Sequence, residues 1–362
     1  MHLNRREFSW LAGASLMSQA LPKLNAQKDS GRIGYCIVGL GRISMDHFMP
    51  AVKQTSQSRI TALVSGHPDK ARKQAALYGV PESSIYTYEN YDEIRNNKEI
   101  DAVYIALPNS MHAEYTIRAA RAGKHVLCEK PMCTSIADAH AMIDACKQAN
   151  VKQLIAYRCQ YEPTNLRAIE LIRQGKIGTV QAIESANGFN IRAGEWRLNK
   201  KMAGGGPLLD VGIYSLNAFR YLTGEEPVEV KAYSTTIDHD GRFDQVEENT
   251  SWTMKFPSGI IASSNTSYGS NMNGFYRVHG SKGVIAVESA FGYQGQHLTA
   301  QLGDKTSLDE PNPAKDPSHF IRMADYFSNC IQKNQEPKTN GEEGLRDMEW
   351  ISRIYESCGM TL

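Results

Sequence analysis

Ile33-Gly34-Tyr35-Cys36-Ile37-Val38-Gly39-Leu40-Gly41-Arg42-Ile43-Ser44 is an apolar run that breaks on two glycines one residue apart. Ile33 to Gly39 reads as a short buried strand, and a helical pattern continues from the turn to Gln54. Strand, glycine turn and helix in immediate succession form the setting in which a backbone can wrap a pyrophosphate. Gly39 permits the tight turn, Gly41 lets an anion approach, and the helix start offers free N–H groups and the positive end of a dipole. Leu40, Arg42 and Ile43 complete this candidate cofactor-binding turn. Ser44 stands where a third glycine is usual, which loosens the match.

The pattern repeats outward. A second strand, Arg59 to Val64, ends in Ser65-Gly66-His67-Pro68-Asp69-Lys70. A carboxylate at this strand end would accept from the adenosine 2′-hydroxyl of NAD. Ser65 stands there instead, with Gly66 beside it and Lys70 one turn on. A hydroxyl and a cation suit a 2′-phosphate, so the reading favours NADP, although Asp69 is near enough to do some acidic work. Ala102 to Leu107 reads as a strand ending in Pro108-Asn109, followed by a helix from His112 to Ala122. A strand from His125 to Cys128 ends in Glu129-Lys130-Pro131, then come a helix from Ile136 to Ala149 and a strand from Leu154 to Ala156. This alternation predicts a doubly wound parallel sheet, a Rossmann domain over residues 31–155. Pro108, Asn109, His112, Glu129 and Lys130 fall at or just beyond strand ends, where such sheets bind ligands.

Composition sets the outer limits. At 362 residues two domains are expected. A net charge of +1 gives no basic surplus for nucleic acid and no acidic tail. Seven cysteines form no C-x-x-C pair and no metal-ligand spacing, which suits buried free thiols. At the start, Asn4-Arg5-Arg6-Glu7-Phe8 precedes a mild apolar stretch from Trp10 to Leu21. This is the twin-arginine export pattern, so residues 1–26 are expected to be a signal peptide and the mature protein periplasmic, with no membrane association after export. The alternative is a basic amphipathic helix on a cytosolic enzyme. From Thr179 onward, β-rich runs (Thr179 to Ser185, Val228 to Thr235, Asn249 to Lys255, Ile260 to Ser267, Phe275 to His279) predict a C-terminal α+β domain over residues 156–362. Its large sheet is expected to be open and mostly antiparallel, with final helices near 319–332 and 344–357 packing back on the first domain.

Moving a hydride from an alcohol carbon to a nicotinamide requires a group to take the hydroxyl proton. A tyrosine can serve when a neighbouring ammonium lowers its pKa and a carboxylate orients the pair. Lys130, Tyr214 and Asp210 supply these parts, and Asp210 and Tyr214 are four apart, on one side of a predicted helix running to Leu222. Each also has an ordinary structural reading: a surface ion pair, a core aromatic and a helix cap respectively. Tyr157, Arg158, Tyr161, Trp196 and Arg197 offer aromatic faces and planar polar groups for a small polar substrate. Arg158 is also a candidate for the cofactor.

Glu129-Lys130-Pro131, Asp210-Val211-Gly212-Ile213-Tyr214, Tyr157-Arg158-Cys159-Gln160-Tyr161, Trp196-Arg197-Leu198 and Gly204 to Asp210 together resemble the glucose–fructose oxidoreductase, inositol dehydrogenase and dihydrodiol dehydrogenase superfamily (Gfo/Idh/MocA). They look closest to its periplasmic glucose–fructose oxidoreductase branch, and the likeness runs from about Gly34 to Cys358. The resemblance implies an NADP-dependent sugar oxidoreductase that makes a lactone from an aldose and reduces a second sugar or carbonyl compound with the same tightly bound cofactor. It also implies a homo-dimer or tetramer formed through the open sheet. Two departures stand out. Only about residues 27–32 separate the expected cleavage site from the first strand, where the branch has a long arm, and Gln160 replaces a histidine, which could change the sugar accepted. Competing readings are a cytosolic sugar or cyclitol dehydrogenase, a glycosidase or epimerase that uses nicotinamide transiently, and a non-catalytic sugar sensor.

Overall fold

β1 (Ile33–Val38) is buried at every position, which is why its sequence is continuously apolar. The computed structural model describes residues 31–312 and 317–362; the expected signal peptide lies outside the described residues. After β1 a π-helical turn, Ile43–Phe48, runs into α1 (Met49–Val52). The helix ends at Val52, two residues before the expected Gln54, where Thr55 donates back to the Val52 carbonyl at 2.9 Å. There follow β2 (Ser58–Val64), α2 (Pro68–Tyr78), β3 (Ile85–Tyr86), β4 (Ala102–Ile105), α3 (His112–Arg121), β5 (His125–Cys128), α4 (Ile136–Gln148) and β6 (Gln153–Ile155). The strands form one parallel sheet in the order β3-β2-β1-β4-β5-β6. β3 was not expected; at two residues it is too short to carry a periodic signal. The direction of winding reverses between β1 and β4, so the loops there splay apart and leave a crevice.

α5 (Pro163–Arg173) is capped by Glu162, whose carboxylate accepts from Thr164 and Asn165 N–H. β7 (Val180–Gly188), α6 (Lys200–Ala203), a π-helical turn at Leu208–Gly212 and α7 (Ile213–Thr223) lead into the second sheet. Its remaining strands are β8 (Glu229–Thr235), β9 (Asn249–Lys255), β10 (Ile261–Ser267), β11 (Met272–Gly280), β12 (Val284–Glu288), β13 (His297–Gln301) and β14 (Ser307–Pro311). Their order is β14-β13-β12-β11-β7-β10-β9-β8, antiparallel except for β7 beside β10. The strict alternation of burial along β9 shows one face packed and one open. The packed face, with Trp252, Met254, Tyr276 and Val278, lies in one core with Leu216 and Phe219 of α7. β12 to β14 were missed because they are short, and β14 (Ser-Leu-Asp-Glu-Pro) presents almost no apolar face.

α8 (Ser318–Gln332) and α9 (Gly341–Ser357) return to the first sheet as expected. Phe320, Met323 and Phe327 of α8 share a core with Tyr35 and Phe48. α9 starts three residues before the expected Gly344, because the Asn340 side chain accepts from Glu343 N–H and caps it. Six of the seven cysteines are buried and all are unpaired.

α7 and α9 are joined by a buried charge cluster. Arg220, with a side chain only 3% exposed, meets Asp347 at 2.6 Å, Glu343 at 2.9 Å and Glu226 at 2.7 Å. Removing the guanidinium would leave the buried Asp347 carboxylate without its cation and Glu343 with Arg346 alone. Arg220→Met is therefore expected to destabilise the fold by about 3–5 kcal/mol, and Arg220→Met/Asp347→Asn to recover part of that loss. Urea unfolding of both variants measures it.

Candidate active site

The glycine turn is shaped by two different demands. Gly39 has φ +93°, and a Cβ there would sit 2.6 Å from the Ala106 carbonyl, so β1 and the loop after β4 touch only because the side chain is absent. A Cβ on Gly41 would meet nothing within 4 Å, leaving open the space that a pyrophosphate needs. Ser44, in the third-glycine position, is buried, and its hydroxyl donates to the Gly39 carbonyl at 2.6 Å, bracing the turn from inside. Leu40 points into the core, and its carbonyl receives Lys70 Nζ at 3.3 Å.

The loops after β4 and β5 are tied together by His112. One ring nitrogen faces the Pro131 carbonyl at 2.8 Å and the other faces the Leu107 carbonyl at 2.9 Å. Burial pushes its pKa down, against the pull of those two carbonyls. Glu129, also buried, accepts from Tyr104 at 2.7 Å; burial raises its pKa, with Tyr104 and Lys130 opposing. Asn109 donates to the Ala203 carbonyl at 2.8 Å, fastening the β4 loop to α6.

Asp210 lies on the π-helical turn before α7. Lys130 Nζ donates to its main-chain carbonyl at 2.7 Å and to Oδ1 at 3.2 Å. Arg197 Nε and the Tyr268 hydroxyl donate to Oδ2 at 2.9 and 2.7 Å. Burial alone would raise this carboxylate; Lys130, Arg197 and Tyr268 overcome it and hold the pKa at about 2. The Lys130 ammonium lies over the ring of Tyr214, 4.6 Å from its centroid. Arg158 lies between the rings of Tyr214 and Tyr293, at 5.0 and 4.3 Å, with its guanidinium donating to the carbonyls of Phe291 and Gly292.

One cavity of about 250 Å³ gathers most of the residues picked from the sequence. Gly41, Arg42, Ile43, Pro108, Asn109, His112, Glu129 and Lys130 line it from the first domain, and Trp196, Arg197, Asp210 and Tyr214 from the second. Ser65, Gly66 and Lys70 do not line it; they sit at the end of β2, around the edge of the glycine turn.

Some readings need correction. Tyr157 and Tyr161 are not cleft residues. The 3₁₀ turn Arg158–Tyr161 turns both rings backward, Tyr157 toward Asp347 of α9 and Tyr161 against Tyr326 of α8, its hydroxyl bonded to Thr339 at 3.0 Å. Gln160 bonds Asn217 of α7 at 2.9 Å and lines no part of this cavity. Arg158 lies beneath the cavity rather than in its wall. The expectation that Lys130 makes Tyr214 acidic also fails: burial drives the phenol pKa well above its usual range, and the chief opposing cation is Arg158. Lys130 faces the ring and directs two of its three N–H donors to Asp210. Tyr268 and Tyr293 went unrecognised. Both lie far from the motifs in sequence and join the site only through the sheet and the loop after β12.

Residues 33–157 match the family model described as "Oxidoreductase family, NAD-binding Rossmann fold" (GFO_IDH_MocA), and residues 165–286 match the GFO/IDH/MocA C-terminal domain. The chain is 31% identical over 333 residues to the NADP(+) D-xylose 1-dehydrogenase of Haloarcula marismortui, covering 90% of this chain and 91% of that one. It belongs to the GFO/IDH/MocA oxidoreductase family. The inositol 2-dehydrogenase of Rhizobium meliloti (strain 1021) is 26% identical over 318 residues, 86% of this chain and 93% of that one. A crystal structure of aldose-aldose oxidoreductase from Caulobacter crescentus, complexed with glycerol, matches at TM-score 0.87 and 44% identity, over 91% of this chain and 99% of that one. As an oxidoreductase of this family, the chain presents a cleft lined by residues of both its domains.

The depressed pKa of Asp210 has a definite sign. Its contribution to stability is complete above the ordinary carboxylate pKa and disappears as pH falls through 4 to about 2. Asp210→Asn is expected to lose about 2 kcal/mol at pH 7 and to show a flatter acid limb than the parent. Unfolding free energies measured from pH 7 to pH 2 check this.

Proposed function

We propose that this chain is an NADP-dependent sugar oxidoreductase that oxidises an aldose at C1 to the lactone and reduces a second sugar or carbonyl compound in the same site. The observation carrying this reading is that Lys130, Asp210 and Tyr214 share a cleft with a glycine turn left open at Gly41. The similarity to the NADP(+) D-xylose dehydrogenase and to the aldose-aldose oxidoreductase supports it.

The N–H groups at Gly41, Arg42 and Ile43 would hold the pyrophosphate, and Pro108, Asn109 and Glu129 would flank the nicotinamide end. Ser65 and Lys70 would hold the 2′-phosphate. Asp69 has an exposed side chain that pairs with Arg72 at 3.2 Å. When bound, the nicotinamide supplies the acceptor for the hydride leaving C1. Tyr214 takes the C1 hydroxyl proton, and the C1–O bond becomes the lactone carbonyl. Arg158 below the ring favours the phenolate, while Asp210 fixes the Lys130 ammonium where it can donate to the same sugar oxygen. Trp196 and Arg197 contact the rest of the ring.

Three outcomes follow. Lys70→Ala should weaken NADP about 10–100-fold and leave NAD nearly unchanged in binding titrations, through loss of one charge-assisted contact. Tyr214→Phe should cut turnover by about 100-fold or more with cofactor affinity intact. Because burial favours the neutral phenol, kcat/KM of the parent should still be rising with pH between 7 and 9.

The Arg5-Arg6 pattern supports export of a folded protein to the periplasm, which lacks a soluble NADP pool. Oxidation and reduction would then alternate on one retained cofactor. Purified protein should carry NADP through gel filtration and give parallel double-reciprocal plots. Cofactor-free protein requiring added NADP at every turnover would point to a cytosolic dehydrogenase. The open sheet face, with Tyr233 81% exposed, is our candidate for assembly into a homo-dimer or tetramer.

A further inference from the structure

The three glycines from Gly204 to Gly206 stand directly before the turn that carries Asp210, yet none of them lines the cleft. Two of them are glycine because a neighbour occupies the space of a side chain. A Cβ on Gly206 would lie 2.6 Å from the Glu247 main-chain oxygen and 2.8 Å from its carboxylate, and one on Gly205 would overlap the Tyr355 hydroxyl. Glu247 sits just before β9 and Tyr355 near the end of α9, so two distant parts of the chain close on this corner. Glu247 is 5% exposed and lines no part of the cleft.

Both oxygens of that carboxylate are used. Oε2 accepts from Gly206 N–H at 2.9 Å, and Oε1 accepts from Leu208 N–H at 3.1 Å and from the Tyr355 hydroxyl at 2.9 Å. Pro207, between the two amides, has no N–H to offer. Such donors at the start of a helix have no internal partner, and the helix dipole favours a negative charge beside them. Burial raises the Glu247 pKa, and what opposes it is the Tyr355 hydroxyl and main-chain N–H groups rather than a cation. A glutamine would fill the same space without a buried charge. It would offer one acceptor oxygen, and its amide nitrogen would face one of the two N–H groups as a second donor. Only a carboxylate satisfies both sides of Pro207 at once.

The consequence reaches the cleft through the backbone. The Gly206 carbonyl accepts from Asp210 N–H at 3.2 Å, and Lys130 Nζ donates to the main-chain carbonyl of Asp210 at 2.7 Å. The main chain of this turn is therefore itself a partner of the ammonium, and α7 continues from it with Tyr214 as its second residue. α9 already holds the far end of α7 through Arg220 and Asp347. Glu247, backed by Tyr355, holds the near end. We infer that Glu247 is a positioning residue, pinning the turn from Gly206 to Leu208 so that Lys130, Asp210 and Tyr214 stay aligned for proton transfer. It acts through the main chain and not on the sugar. This inference rests on the proton-transfer reading given above.

The test compares Glu247→Gln, Tyr214→Phe and the double variant with the parent, using the aldose that the parent oxidises fastest. Glu247→Gln should lower kcat about 10–100-fold and leave sugar KM and NADP affinity within about threefold. In the Tyr214→Phe background the same change should cost at most about threefold, because the group being aligned is gone. Normal kcat in Glu247→Gln, or an equal loss in both backgrounds, would overturn the positioning role and leave the proposed function standing. Amide hydrogen exchange over residues 206–214 reads the same point without turnover. It should rise about tenfold or more in Glu247→Gln with α8 unchanged; unaltered exchange would overturn the inference even if no aldose were a substrate. Tyr355→Phe removes a single hydroxyl and serves if Glu247→Gln does not fold. It should lower kcat about threefold with KM unchanged, and a kcat equal to the parent's would overturn the inference. Failure of every free aldose as a substrate would overturn the proposed function itself.

Discussion

Asp210 is held in the carboxylate form in the wall of a cleft, where desolvation of an ion costs several kcal/mol unless partners meet it. Its partners come from separate parts of the chain: Lys130 from the end of β5, Arg197 from the loop before α6 and Tyr268 from the end of β10. The carboxylate can stay ionised only if the Rossmann strand ends and the second sheet hold their relative positions. The same requirement places the Lys130 ammonium over Tyr214 and brings Arg197 over the ring of Trp196, at 4.7 Å. Below them Arg158 does the same for the loop after β12, drawing the carbonyls of Phe291 and Gly292 under Tyr214. Two buried charges thus set the geometry of the floor on which the chemistry is proposed to occur.

The parts of this arrangement that were legible in the sequence are those carried by short-range patterns. The glycine turn, the ends of β4 and β5, and the Asp210–Tyr214 pair each depend on residues within about one turn or one loop of each other. Orientation was less legible. Tyr157 and Tyr161 have the right chemistry for sugars and stand next to Arg158, yet the tight turn between them points both rings at the final helices. Residue type does not encode facing when the local structure is a single 3₁₀ turn. The acidity of Tyr214 was misjudged because pairing two distant motifs does not say which part of the ring the cation meets; Lys130 lies against the face of the ring. Tyr268 and Tyr293 could not be found at all without the sheet, since nothing local distinguishes them from core tyrosines. The outer strands β12 to β14 escaped for a related reason: they are short, and β14 buries too little to need a regular apolar pattern.

The return of α8 to the first sheet bears on the order in which the molecule can be built. The hydroxyls of Tyr35, in the first strand, and Ser328 are hydrogen-bonded at 3.2 Å, and Ser58 in the second strand lies 2.8 Å from the same serine hydroxyl. Phe48 packs in the core that Phe320, Met323 and Phe327 complete. A ribosome therefore delivers one side of the nucleotide-binding sheet nearly three hundred residues before its cover. Folding unit by unit from the N-terminus, the usual course for two-domain chains, cannot finish here. The half of the protein made first must wait, with an apolar flank open to water or to a chaperone, for almost the last helix to emerge.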